Sequence, residues 1–288
     1  MMEAMGIVTT ALRRPQTYVG VAREAVSAAR CAALYPLGLV ETALQTGRPK
    51  GDVTHDTPVL LVHGYGHNRS GWFLLDRTLR QAGFSSVHTM NYVAWGAEGV
   101  PELAARLARR VEDVRRLTGA EKVHLVGHSM GGVLLRYYVQ ELGGAEFVDT
   151  AITIASPHEG TRVALAGIGA GARDLRPGSS VMRRLAAGVQ RGAGVRWVAF
   201  YSNLDVLIQP APSAMLRHPA LHATNVLVKD QGHLTIMMAP VVARAVVAQL
   251  EAAETGVGSL VPLARRPVAG QPVEPTVVTA EEAAAAAF

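Results

Sequence analysis

The chain has 288 residues, 49 % of them hydrophobic and 18 % charged, the composition of a globular protein with room for one large folded unit and appendages. Its 28 basic and 23 acidic residues leave a formal charge of +5, spread without a basic stripe, so nucleic-acid binding is excluded as an expectation. The single cysteine, Cys31, rules out an internal disulfide and a Cys-based zinc site.

Residues 15–34 read as an Ala-rich helix with an apolar stripe at Val19, Ala22, Val26, Ala29 and Ala33, broken afterwards at Pro36 and Gly38. The apolar run at 31–40 is too short to span a bilayer and lies too far from the start for an export signal. Residues 1–50 are therefore expected to form a helical extension and linker. It either packs on the main domain, the favoured reading, or makes a peripheral membrane contact through Arg13, Arg14, Arg23, Arg30 and the apolar end. The expected location is cytoplasmic or peripherally membrane-associated, with secretion disfavoured.

Residues 51–254 alternate short apolar runs with helix-length amphipathic stretches, which predicts a mostly parallel sheet with helices on both faces. Strands are expected at 59–62, 87–92, 122–126, 148–154, 196–201 and 224–228. One helix follows Ser70, with Trp72, Leu75, Leu79 and Ala82 on one face and Gly83 free to take a left-handed stop. A second begins at Pro101, with Leu103, Leu107, Val111, Val114 and Leu117 on one face and the pairs Glu102/Arg106 and Glu112/Arg116 at i, i+4 spacing. A closing helix is placed from about 240 to 250. Residues 255–288 hold four prolines and an Ala-rich end, and read as a flexible low-complexity tail without strands.

The chemistry is concentrated where the 122–126 strand runs into Gly127-His128-Ser129-Met130-Gly131-Gly132 and then a helix. This is the G-x-S-x-G turn, whose glycines let neighbouring chains approach while the serine is held clear of the backbone. The Met130 amide, at the start of the helix, is one expected oxyanion donor. The end of the first strand, His63-Gly64-Tyr65-Gly66, supplies the second in the Tyr65 amide, with His63 orienting the loop. The triad order Ser, acid, His points to Asp205, after the 196–201 strand, and to His233, after the 224–228 strand. Asp230 is the rival acid but reads as a turn former. His218 and His222 follow no strand.

Taken together, these segments, with Ser156-Pro157-His158-Glu159-Gly160-Thr161, resemble the α/β-hydrolase lipases and esterases of bacterial type, particularly the actinobacterial group. The resemblance covers about residues 35–252. It implies the α/β-hydrolase fold with a small cap or lid, carboxylester hydrolysis on acyl lipids, and a position beside the active site for 156–161. The secreted relatives carry an export signal that this sequence does not show, so an extracellular triacylglycerol role is not the expected one.

The expected catalytic set is Ser129, Asp205 and His233, with the Tyr65 and Met130 amides as oxyanion donors. Trp95, His128, Pro157 and His158 are candidate substrate contacts. The expected substrate is a lipid or other apolar ester, with no cofactor and no metal. Residues 163–194 could form a lid or an ordinary surface helix pair. An acyltransferase or thioesterase would use the same triad, and a non-catalytic binding member of the fold is the remaining alternative.

Overall fold

The computed structural model describes residues 15–39, 55–255 and 276–279. Among the described residues, seven strands form one sheet in the order β2-β1-β3-β4-β5-β6-β7, with every neighbouring pair parallel. They are β1 (Val59–Val62), β2 (Val87–Met90), β3 (Val123–His128), β4 (Val148–Ile154), β5 (Arg196–Ser202), β6 (Thr224–Val228) and β7 (Thr276–Thr279). The first six lie where the apolar runs place them. β7 departs from expectation: Thr276-Val277-Val278-Thr279, inside the presumed tail, pairs with β6. A four-residue strand among prolines carries too little period-2 pattern to stand out.

Side-chain alternation along the strands divides the core in two. Leu60, Val62, Leu125, Trp197 and Ala199 face one way, onto α3 (Val100–Thr118) and α4 (Met130–Glu141). Val59, Leu61, Val126, Val198 and Phe200 face the other, onto α2 (Phe73–Gln81) and α8 (Pro240–Glu254). Both faces of a parallel sheet must be covered because its strands are apolar on both sides. Gly83, at φ 98°, takes the left-handed stop after α2.

The start of α3 differs from the expected charge pairs. Glu102 turns back to accept from the Gly99 amide at 2.9 Å, and Asp174 accepts from Val100 N at 2.7 Å, so two acidic groups satisfy free amides of the first turn. Arg106 pairs with Glu98, and Arg115 with Glu112, each at 2.8 Å. Leu117, expected on the packed face, is exposed.

The N-terminal helix α1 (Pro15–Leu39) runs through Pro36 instead of breaking there. Its last turn is anchored by two side-chain amides: Asn68 Nδ2 donates to the Tyr35 carbonyl and Asn91 Nδ2 to that of Gly38, both at 2.8 Å. Gly38 permits this approach, since a Cβ there would lie 2.0 Å from Asn68 Oδ1. The expected apolar stripe is turned outward: Ala22, Val26, Ala29 and Ala33 are exposed, while Ser27 and Cys31 are buried. The helix packs on α7 (His233–Met237), through polar contacts to Leu234 and Thr235, and on the 3₁₀ turn Arg69–Trp72. No helix among the described residues is long and apolar enough to cross a membrane.

Candidate active site

The turn between β3 and α4 puts Ser129 at φ 54°, ψ −124°, a conformation a non-glycine residue adopts only where its surroundings enforce it. The enforcement is visible in the neighbours. A Cβ on Gly131 would lie 2.2 Å from the Val62 carbonyl oxygen, and one on Gly127 would lie 2.6 Å from Gly132 N. Gly64, on the opposite loop, leaves the space that a Cβ would take 2.7 Å from Ser129 Cβ. The Ser129 amide donates to Ile154 O at 2.8 Å, tying the turn to the end of β4.

Asp205 and His233 come from the loops after β5 and β6 and meet as a buried pair, with Nδ1 of the imidazole 2.7 Å from Oδ2 of the carboxylate. Asp205 Oδ1 accepts from the amides of Leu207 at 2.9 Å and Ile208 at 3.0 Å. With both its oxygens engaged, the carboxylate fixes the ring with Nδ1 protonated and leaves Nε2 with its lone pair. Asp230 takes the other part: at φ 57° it closes a turn with Asn203, whose Oδ1 accepts from Asp230 N at 2.8 Å.

Two further histidines brace this arrangement. His128 Nε2 lies 3.0 Å from the His233 carbonyl oxygen and donates to it, and the two rings lie 4.7 Å apart. Burial, reinforced by His233 nearby, holds His128 well below the usual imidazole range, so it is neutral. His63 stacks on Tyr92 at 4.1 Å, donates through Nδ1 to Gly64 O at 2.9 Å and accepts through Nε2 from Tyr92 N at 3.2 Å. The Tyr92 hydroxyl donates to the His63 carbonyl. Burial pushes the His63 imidazole down to about 4, consistent with a ring that fixes the β1 loop. Among the described residues, neither the Tyr65 nor the Met130 amide donates to a backbone or side-chain acceptor.

Ser129 and His233 open into one cavity of about 690 Å³. Tyr65, Gly66, His67, His128 and Pro157 line it together with Val163, Ala164, Gly167, Ala172 and Leu175 and with Leu207 and Ile208. α1 lines the cavity as well, through Ala28, Cys31, Ala32, Tyr35 and Pro36. Burial, and then Glu24, push the Cys31 thiol up to about 11.

Of the four candidate substrate contacts, His128 and Pro157 line this cavity and two do not. Trp95 is 47 % exposed on the loop before α3. His158 is turned inward, its Nε2 3.0 Å from Thr153 Oγ1, and borders a separate pocket beside Arg136 and Met182. Of the connection at 163–194, residues between 163 and 175 shape the cavity, while Val181, Met182 and Leu185 pack into the core. The sequence reading missed α1 as a wall, because the residues that dock it are polar.

Residues 57–173 match the model of the alpha/beta hydrolase fold family. The chain has the α/β-hydrolase fold. Over part of its length the chain is similar to lipases: it is 31 % identical over 114 residues to a triacylglycerol lipase of Pseudarthrobacter phenanthrenivorans, covering 37 % of this chain and 35 % of that protein. A triacylglycerol lipase of Burkholderia plantarii matches at 31 % over 114 residues, covering 37 % and 31 %. A proline iminopeptidase of Lactobacillus delbrueckii subsp. lactis matches at 29 % over 97 residues, covering 31 % and 33 %. The chain thus spans about a third of the length of these curated relatives. Among solved structures, Aspergillus fumigatus lipase B superposes with a TM-score of 0.59 at 19 % identity, covering 74 % of this chain and 57 % of that one. The mature form of a Bacillus licheniformis lipase superposes with a TM-score of 0.54 at 17 % identity, covering 69 % and 91 %. These likenesses establish the fold.

Proposed function

We propose that this protein is a serine carboxylester hydrolase that cleaves esters of lipids or other apolar acyl groups through an acyl-enzyme. The observation that carries the reading is the buried His233–Asp205 hydrogen bond at 2.7 Å, beside a serine held at φ 54° on the wall of the same cavity.

In this reading His233 Nε2 takes the Ser129 proton as Oγ bonds to the acyl carbon, and the carbonyl π pair moves onto oxygen. The unengaged amides of Tyr65 and Met130 receive that oxyanion. Collapse of the adduct breaks the bond to the leaving alkoxide, which takes the proton from His233. Water then repeats the sequence and releases the acid. Asp205 stays ionised, holds the tautomer and stabilises the imidazolium. The Ser129–His233 hydrogen bond is the element the proposal adds to the observed geometry.

The apolar walls support an acyl chain as the group bound, since each buried methylene contributes about 0.8 kcal/mol. The lipases among the curated relatives point the same way, while the iminopeptidases show that related chains act on peptides. The test is hydrolysis of nitrophenyl esters from acetyl to palmitoyl beside a proline anilide. The reading expects ester turnover that improves with chain length; anilide turnover exceeding every ester would contradict it.

A further inference from the structure

The helix that begins with His233 has no capping side chain of its own. Its N-cap is Gly232, in an extended conformation at φ −77° and ψ 177°, and the amides of the first turn need an acceptor from elsewhere. The acceptor comes from α1, 210 residues earlier in the chain. Glu24 Oε1 accepts from Leu234 N at 2.7 Å, and Oε2 accepts from Thr235 N at 2.9 Å and Thr235 Oγ1 at 2.6 Å. Ser27, one turn on, places its Oγ 3.1 Å from Thr235 Oγ1 in a buried contact.

The missing side chain at 232 and the carboxylate at 24 are complementary. A Cβ on Gly232 would lie 2.2 Å from Glu24 Oε2, so the remote cap occupies the space a local one would need. His233 is consequently held on three sides. Asp205 fixes its ring, His128 its carbonyl, and Glu24 the two amides that follow it.

We propose that Glu24 is a positioning residue for His233, which makes α1 a working part of the active site. The proposal rests on His233 being the general base. Loss of the carboxylate frees the turn that sets the direction of the imidazole, and small displacements of a catalytic base are costly in rate.

The experiment compares wild type, Glu24→Ala, Glu24→Gln, Gly232→Ser and the double variant Glu24→Ala/Gly232→Ser in the full chain. The readouts are kcat and KM on nitrophenyl butyrate per folded molecule, with folding followed by circular dichroism and Ser129 followed by fluorophosphonate labelling. Glu24→Ala is expected to lower kcat by about 10-fold with KM within about twofold, and Glu24→Gln, which keeps one acceptor, by less. Gly232→Ser alone is also expected to lower kcat, because its side chain meets the carboxylate. In the double variant the new serine fits the vacated space and supplies a local cap, so kcat recovers most of what Glu24→Ala lost. A merely structural role for Glu24 would lower the melting temperature while leaving kcat per folded molecule unchanged.

Unchanged kcat in both Glu24 variants, or a double variant no better than Glu24→Ala, would overturn the proposal. Should Glu24→Ala fail to fold, Glu24→Gln alone decides, and an unchanged kcat there overturns it. A wild type that is not labelled at Ser129 would overturn the triad reading and this proposal with it, an outcome distinct from a labelled wild type with indifferent Glu24 variants.

Discussion

Nδ1 of His233 sits 2.7 Å from Oδ2 of Asp205, and the other carboxylate oxygen is saturated by the amides of Leu207 and Ile208. That division of labour leaves the carboxylate one remaining task, which is to hold the imidazole. Asp205→Asn is therefore expected to reduce ester turnover by about 10⁴-fold, because the amide nitrogen facing Nδ1 imposes the wrong tautomer. Asp230→Asn, altering a turn that bonds to Asn203, should change kcat by less than about twofold. Steady-state kinetics on nitrophenyl butyrate check both, and a reversed ranking would move the acid to Asp230.

Gly131 is required for a steric reason that a stability measurement can isolate. Gly131→Ala drives its Cβ against the Val62 carbonyl, with backbone on both sides of the conflict, and should destabilise the fold by about 3 kcal/mol or more. Gly96→Ala meets nothing nearer than 4.0 Å and should stay near wild type. Urea unfolding of the two variants separates these outcomes, and equal midpoints would show that the elbow relaxes freely.

Acid stability follows from His63. Its folded imidazole is pushed down to about 4 from the usual 6.5 by burial, so between these values the unfolded chain holds more protons than the folded one. Stability is then complete above about pH 6.5 and falls as the pH drops towards 4. His88, also pushed down to about 4 by burial, adds to the slope in the same window. Melting temperature measured from pH 8 to 4 should decline through this range with net proton uptake on unfolding. A flat profile would contradict the neutral, buried state of these rings.

Much of the sheet and elbow can be read from the residues, because Val59-Leu60-Leu61-Val62 and Lys122-Val123-His124-Leu125-Val126 are apolar runs ending in glycine motifs with few structural alternatives. Asp205 and His233 follow from chain order, each being the residue of its type in the loop after a strand. Packing of α1 on the domain is the favoured expectation, but the face by which it docks is illegible for the opposite reason. Its contacts are made by Glu24 and Ser27, while the Ala-rich stripe that periodicity selects faces outward. Trp95 and His158 show a related limit, since proximity in sequence to a cavity wall does not say which way a side chain turns.

The α1 wall makes a prediction about specificity. Ala28 lines the cavity from an exposed position, so Ala28→Trp should narrow the cavity with little effect on folding. Turnover of long-chain nitrophenyl esters should fall by about 10-fold in kcat/KM while acetate hydrolysis is preserved, a loss of the size expected when one or two methylenes lose their contacts. Equal losses on short and long esters would indicate that the acyl chain leaves by another path.

The central claim is that Ser129 is a nucleophile activated by His233. The most direct measurement is intact-mass and peptide-mapped labelling with a fluorophosphonate, on wild type, Ser129→Ala and His233→Ala. The account predicts one adduct per wild-type chain on the peptide containing Ser129, none on Ser129→Ala, and labelling of His233→Ala slowed by orders of magnitude while all three remain folded. An adduct that persists in Ser129→Ala, or wild type that stays unmodified, would contradict it.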